Sequence, residues 1–398
     1  MNQPRILVAL PTTHPDMPCV DQILDGTSPC SGSIGSIVRL AGYLAEAGWQ
    51  PCLSSSTESR STKFRSIDHT SVKAGEFDLL VVNQTHWNGE ALTFGREAIS
   101  RTILWLQNQT PWAFVNEFLK SGGYRVVCPS FYHANIYRAL PQWRSKVDVI
   151  YNSTCPVFRP MVTATPKKRL LFIGAISPSK GFAELMEVWS YLARKVAKLH
   201  LAIAGSISLH TNVSASVGSL GVADRAFEAE HIVPWLKSLP PDYKPEFLGS
   251  LGPVELRKEI AGSWAVIVNP SWSSPETFCV AAVEAQLCDR SVFSLAAGGL
   301  NETVYRGEFA TLTPKRGIDS LSERILDGLN SMEAVRENGR LAGEFVRAKF
   351  GDSFIPDSWL KLLSGQRNSL VLPKTWSSTD DVVKDLLRWT HTSKFAGR

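Results

Sequence analysis

Short, unbroken apolar runs alternate along this chain with stretches whose apolar residues recur every three to four positions. Residues 5–10 (Arg-Ile-Leu-Val-Ala-Leu), 78–82, 102–106, 126–130 and 147–151 are runs of the kind that strands buried on both faces require. Between the first two, Ile37, Leu40, Ala41 and Leu44 share one helical face, which Gly48 closes. A second series begins at Arg169. Its expected strands are 170–173, 199–204, 265–268, 292–295 and 309–312. Between them, Phe182, Leu185, Met186, Trp189 and Leu192 lie at helical spacing, and further helices are expected at 253–261, 318–330 and 332–349. Strands alternating with helices predict an α/β chain with two doubly wound parallel sheets. Asn152 to Pro160 has the composition of a linker. The expected domains are therefore 1–158 and 159–352, with segment 353–398 returning to the first. Polar residues 54–75 read as an exposed irregular loop. Residues 206–245 read as a polar, partly helical connection, and 380–389 as a short amphipathic helix packed on the first domain.

Composition narrows the class. Of 398 residues, 44% are hydrophobic and 20% charged, which is the balance of a globular protein. The formal net charge of +5 comes without a basic stripe, so nucleic acid is not an expected partner. The seven cysteines include no C-x-x-C pair and no histidine spacing that completes a metal site. Such a set reads as reduced thiols in a cytoplasmic protein. Ile6 to Leu10 is too short for a signal peptide, and no apolar run approaches the ~18 residues of a membrane span. Peripheral contact with a membrane surface through 380–389 is a further expectation.

Candidate chemistry concentrates in residues 268–302. An apolar strand ends at Asn269-Pro270, and a Ser/Pro loop follows. Glu276 and Thr277 then precede a helical run with Val280, Val283 and Leu287. With Thr277 as N-cap, the N–H groups of Thr277, Phe278 and Cys279 would face out of the helix start, a good setting for an anion. Glu284 follows Glu276 by eight residues, so the two carboxylates fall near one face, one at the helix mouth and one about two turns in. Free N–H groups for phosphate and carboxylates for hydroxyls suit a sugar nucleotide. The plain alternative is a capping glutamate and a solvated one. Residues 30–36 (Cys-Ser-Gly-Ser-Ile-Gly-Ser) form a Gly/Ser loop between a strand and a helix, a phosphate-cradling layout or simply a turn. Lys180 stands in the turn Ser177–Gly181, within reach of a phosphate or merely solvated. His86 and Gln107 follow strand ends, where open α/β sheets place ligands. His86 reads equally well as a hydrogen-bonded structural ring.

Ser-Pro-Glu-Thr-Phe, the two glutamates with seven residues between them, and Gly-Gly-Leu-Asn-Glu resemble, in this order, the donor-site motif of the family-4 retaining glycosyltransferases. The resemblance covers most of residues 5–355. It implies GT-B architecture, two Rossmann-like domains facing across a cleft. It also implies retaining, metal-independent transfer of a sugar from a nucleotide-sugar donor to a glycan or lipid-linked acceptor, with no cofactor beyond the donor. Glu276 is then catalytic, with Gln107 at the position where the family carries a histidine and His86 as the nearest substitute. Donor binding falls to Gly32, Ser33, Lys180, Leu251, Thr277, Phe278, Cys279 and Glu284, with Leu251 on the base and Glu284 on the ribose. Three departures stand out. Ser31 replaces the first of two loop glycines, Ala175 stands where an arginine is usual, and Cys279 where a glycine is usual. Arg39 is a candidate to replace the lost cation. These departures motivate two alternatives, a catalytically impaired sugar-nucleotide-binding partner subunit and a GT-B nucleotide-sugar epimerase.

Overall fold

The computed structural model describes residues 3–12, 19–56, 60–139, 141–161, 167–206, 217–307, 311–313, 317–351 and 354–366. The chain divides into two compact units. Unit 1 comprises residues 1–17, 37–152 and 353–398, and unit 2 comprises 18–36 and 153–352. Residues 18–36, expected with the first domain, thus group with the second unit.

Unit 1 is built on a parallel sheet of β1 (Arg5–Ala9), β2 (Gln50–Ser55), β3 (Arg65–Asp68), β4 (Leu79–Asn83), β5 (Thr102–Trp105), β6 (Arg125–Cys128) and β7 (Val147–Val149). Their spatial order is β3-β2-β1-β4-β5-β6-β7. The apolar runs fill its centre: Ile6, Leu7, Val8, Leu80, Val82, Ile103 and Leu104 are wholly or almost wholly buried. Two strands differ from expectation. β2 was not foreseen, and β3 lies inside the stretch read as an irregular loop. β3 is an edge strand with one paired side, so its polar residues remain exposed or half-buried. Helix Phe354–Leu363 belongs to this unit, and its Trp359 ring meets Trp105 edge-on at 4.7 Å. The expected helix at 380–389 lies outside the described residues.

Unit 2 repeats the design with β8 (Lys167–Ile173), β9 (His200–Ala204), β10 (Glu246–Gly249), β11 (Ser263–Ile267), β12 (Val292–Leu295) and β13 (Leu312–Thr313). Their order is β10-β9-β8-β11-β12-β13, again all parallel. Helix Phe182–Lys195 packs Phe182, Leu185, Trp189 and Leu192 into the core, as their spacing requires. The connection after β9 is helical over 225–238 and contains one π-turn, Glu228–Ile232. Among the described residues, no helix is long and apolar enough to cross a membrane.

In each sheet the order reverses once, between β1 and β4 in unit 1 and between β8 and β11 in unit 2. Connections leaving two adjacent strands in opposite directions open a crevice at their carboxyl ends, where open α/β sheets bind ligands.

Candidate functional site

The reversal in unit 2 brings together two segments far apart in sequence. The loop after β8 carries Lys180, and the loop after β11 carries Glu276. Gly181 makes the approach possible. Its φ is +72°, and a Cβ there would lie 2.7 Å from Pro270 Cδ and 2.8 Å from the Ser271 nitrogen. Only glycine meets both demands without cost. The turn therefore seats on Pro270-Ser271 and delivers the lysine. Lys180 Nζ donates to Glu276 Oε1 at 2.8 Å and Oε2 at 3.1 Å. The lysine side chain is 34% exposed and the glutamate side chain 12%. Burial pulls the Lys180 ammonium down, but the Glu276 carboxylate and its hydrogen bonds outweigh it and hold the pKa above its ordinary value. Asn269 Nδ2 donates to the same Glu276 Oε1 at 3.0 Å. On its main chain, the Glu276 carbonyl accepts the Gly299 N–H at 2.7 Å, which ties the Gly298-Gly299 turn to this loop.

The helix beyond Glu276 starts later than its sequence suggests. It spans Val280–Leu287, with Cys279 and not Thr277 as N-cap. The correction has a backbone cause: Cys279 has φ +74° and ψ +79°, a left-handed conformation that no helix interior accommodates. Thr277, Phe278 and Cys279 therefore precede the helix, and Ala282 closes its first turn on the Cys279 carbonyl at 3.2 Å. Glu284 lies one turn into the helix rather than two and is half-buried. Phe278 is 1% exposed, its ring edge-on to Phe350 at 5.5 Å, so its side chain is core. Burial and the neighbouring Glu276 carboxylate push the Cys279 thiol well above the ordinary cysteine range.

The Gly/Ser loop reaches the same helix start within unit 2. A Cβ on Gly32 would sit 3.0–3.1 Å from Val280 side-chain atoms, so the missing side chain lets the two segments meet. Ser31, in place of a glycine, has a task of its own. Its hydroxyl accepts the Ile34 N–H at 3.3 Å and caps the helix Gly32–Glu46. Ser33 lies half-buried in the first turn, and Ser36 Oγ donates to the Gly32 carbonyl at 2.8 Å. Leu251 is half-buried just beyond β10, at the carboxyl end of the sheet. Ala175 is buried next to Gly174 at the end of β8.

Two expected catalytic residues lie in unit 1 and are sealed there. His86 is 1% exposed; its Nε2 meets the Leu10 carbonyl at 2.7 Å and its ring stacks on Phe94 at 4.9 Å. Burial lowers its pKa to about 4, so the ring is neutral at pH 7 and Nε2–H donates. Gln107 is 3% exposed, and its Oε1 accepts from Asn152 Nδ2 at 2.8 Å. Both side chains are thus hydrogen-bonded within unit 1. Arg39 is 4% exposed, in the helix Gly32–Glu46. No group of three His, Cys, Asp or Glu residues among the described residues could hold a metal ion.

Asn269 was missed as a site residue, although it stands in the motif. The Asn-Pro step marked only the end of a strand, and nothing in the sequence shows where an amide points.

Part of the chain is similar to known proteins. A family model described as "Glycosyl transferases group 1" matches residues 158–341, which include Lys180, Glu276 and Glu284. An uncharacterised glycosyltransferase of Methanocaldococcus jannaschii is 35% identical over 101 residues, 25% of this chain and 26% of that protein. The match thus spans about a quarter of that relative's length. Sucrose-phosphate synthase of Thermosynechococcus elongatus superposes with a TM-score of 0.67 at 17% identity, covering 92% of this chain and 99% of that one. HepE of Anabaena, solved in complex with UDP, gives 0.65 at 14% identity over 91% and 100%. WaaG, a glycosyltransferase involved in lipopolysaccharide biosynthesis, gives 0.64 at 11% identity over 90% and 100%. These likenesses show the fold, which is GT-B.

Proposed function

We propose that this protein is a retaining, family-4 glycosyltransferase that moves a sugar from a nucleoside-diphosphate sugar to a hydroxyl acceptor. The observation that carries the reading is the Lys180–Glu276 pair at the reversal of the unit 2 sheet, beside the start of helix Val280–Leu287. Transfer from such a donor passes through an oxocarbenium-like state as a diphosphate leaves. The protein's task is to stabilise the charge growing on that leaving group with donors already in place. Lys180 supplies a cation and the helix start supplies N–H groups, and the loop at Gly32 and Ser33 closes around the phosphates. When the diphosphate draws Lys180 away, Glu276 is left to receive the sugar or its nearest phosphate. Glu284, one turn further on, binds the ribose hydroxyls, and Leu251 packs on the base. In this scheme the lysine carries the charge-neutralising role, and neither a metal nor a cofactor is required. The acceptor is a glycan or lipid-linked glycan, which places the protein in polysaccharide biosynthesis on the cytoplasmic side. UDP-sugars are the first donors to try, since structures of HepE hold UDP and UDP-glucose.

A second reading, a sugar-nucleotide binder without turnover, is favoured by Ala175 and by the sealed settings of His86 and Gln107. Melting curves with UDP, GDP and ADP test the site itself. A ligand at about 100 times its Kd adds roughly 2.7 kcal/mol, a shift of several degrees. No shift with any of the three nucleotides would sink both readings. A shift without nucleotide release from the matching sugar conjugates would leave only the binder.

A further inference from the structure

We infer that Asn269 is a positioning residue for Glu276, holding its carboxylate in the orientation a bound donor meets; the assignment rests on the glycosyl-transfer reading. Asn269 lies two residues beyond β11 and is 3% exposed. Both ends of its amide are engaged. Nδ2 donates to Glu276 Oε1 and to the Ser274 carbonyl, each at 3.0 Å, and Oδ1 accepts the Ser271 N–H at 3.2 Å. Its own carbonyl accepts Ser294 Oγ at 3.0 Å, from the neighbouring strand β12. The amide can face only one way, since an exchanged oxygen would confront two acceptors and the exchanged nitrogen a donor. The backbone is chosen as narrowly. Asn269 has φ +24°, a region where asparagine is enriched among residues with a side chain.

The reason for an amide beside an ammonium lies in what each does when an anion arrives. Glu276 Oε1 receives both Lys180 and Asn269. A diphosphate competes for the lysine, which is free to follow it because its stem is long and its charge is attracted. Asn269 has no net charge to be drawn and a short side chain tied at its other end to Ser271. It therefore keeps one hydrogen bond on Glu276 after the lysine has moved, and the carboxylate cannot swing out of register. Aspartate in its place would keep the shape, the left-handed tolerance and the acceptor for Ser271, but would set an oxygen against Glu276. Glycine would keep the backbone and remove the amide.

The test compares wild type with Asn269→Asp and Asn269→Gly, first by melting and then by nucleotide release from UDP-glucose, GDP-mannose and ADP-glucose. Positioning predicts that kcat falls by about tenfold or more in both, further in Asn269→Asp, while the donor KM moves by less than about threefold. A loop clamp alone would lower the melting temperature and leave kcat per folded molecule at the wild-type value; that result overturns the assignment. Should Asn269→Gly not fold, Asn269→Asp carries the test, because it leaves every heavy-atom position occupied. Wild type inert toward all three donors would overturn the glycosyl-transfer reading and this assignment together. Active wild type with an unimpaired Asn269→Asp would overturn this assignment alone.

Discussion

Each of the two sheets reverses its strand order once, and the two reversals are filled by opposite chemistry. Between β1 and β4 the crevice is closed by a neutral ring, His86, bonded to the Leu10 carbonyl and packed against Phe94 and His69. Between β8 and β11 stands an ion pair, Lys180 with Glu276, partly open to solvent. Topology nominates both places equally. What separates them is whether the polar groups have anything left to give. The buried neutral ring is held in place and has no charge to lend. The ion pair costs desolvation to hold and can be redistributed when a third charged group enters.

The sharpest way to break this contrast is to remove its charged member. Glu276→Gln or Lys180→Met should lower kcat by about 10²–10³, the scale of losing a preorganised electrostatic contact. His86→Gln, which keeps a donor for the Leu10 carbonyl, should change kcat by less than about threefold. Initial rates of nucleotide release decide it, and equal losses in both places would end the distinction.

The histidine side of the contrast should instead appear in stability against pH. The folded pKa of His86, about 4, lies below its ordinary 6.5. Between those values the unfolded chain takes up a proton that the folded protein refuses. Stability should therefore be full above pH 6.5 and fall as pH drops toward 4, by up to roughly 3 kcal/mol from this group. Urea titrations at stepped pH should show the slope, and His86→Gln should flatten it by about one proton.

Two smaller effects sharpen the charged side. Glu284→Ala should raise the Kd for the nucleotide by about tenfold, the scale of losing one charge-assisted hydrogen bond; calorimetry with UDP and GDP would reveal an unchanged affinity if the ribose assignment is wrong. Cys279→Gly should stabilise the protein by about 1 kcal/mol, because glycine holds the left-handed conformation without a Cβ penalty. Denaturant midpoints measure that gain. A broader donor range in the same variant would identify the cysteine side chain as a restriction on the sugar pocket.

The sequence made some of this legible and concealed the rest for identifiable reasons. Continuous apolar runs gave the central strands, because burial on both faces leaves no alternative pattern. β2, Gln-Pro-Cys-Leu-Ser-Ser, lacks such a run and becomes a strand through its neighbours β1 and β3. Thr277 has the better side chain for a cap, yet the helix begins after Cys279, where a backbone angle decides. Residue type at a strand end identified His86 and Gln107 as candidates, but type says nothing about what covers a side chain. Lys180 and Glu276 are separated by 96 positions. Only the resemblance to a known motif put them in one site before the fold did.

Residues 18–36 carry a consequence for how the molecule is made. The Gly26 carbonyl bonds the Val254 N–H at 2.9 Å, and Thr27 lies where any Cβ on Gly252 would strike it. On the ribosome this segment emerges early and must wait for its partner at residue 254. Unit 1, for its part, lacks helix Phe354–Leu363 until residues 153–352 of unit 2 have been synthesised. Neither half can be finished while the other is unmade. A cut between residues 152 and 153 would leave two fragments that each owe the other a piece. Recombination could not exchange one half for a foreign one without also carrying over the short stretch that its counterpart keeps in trust.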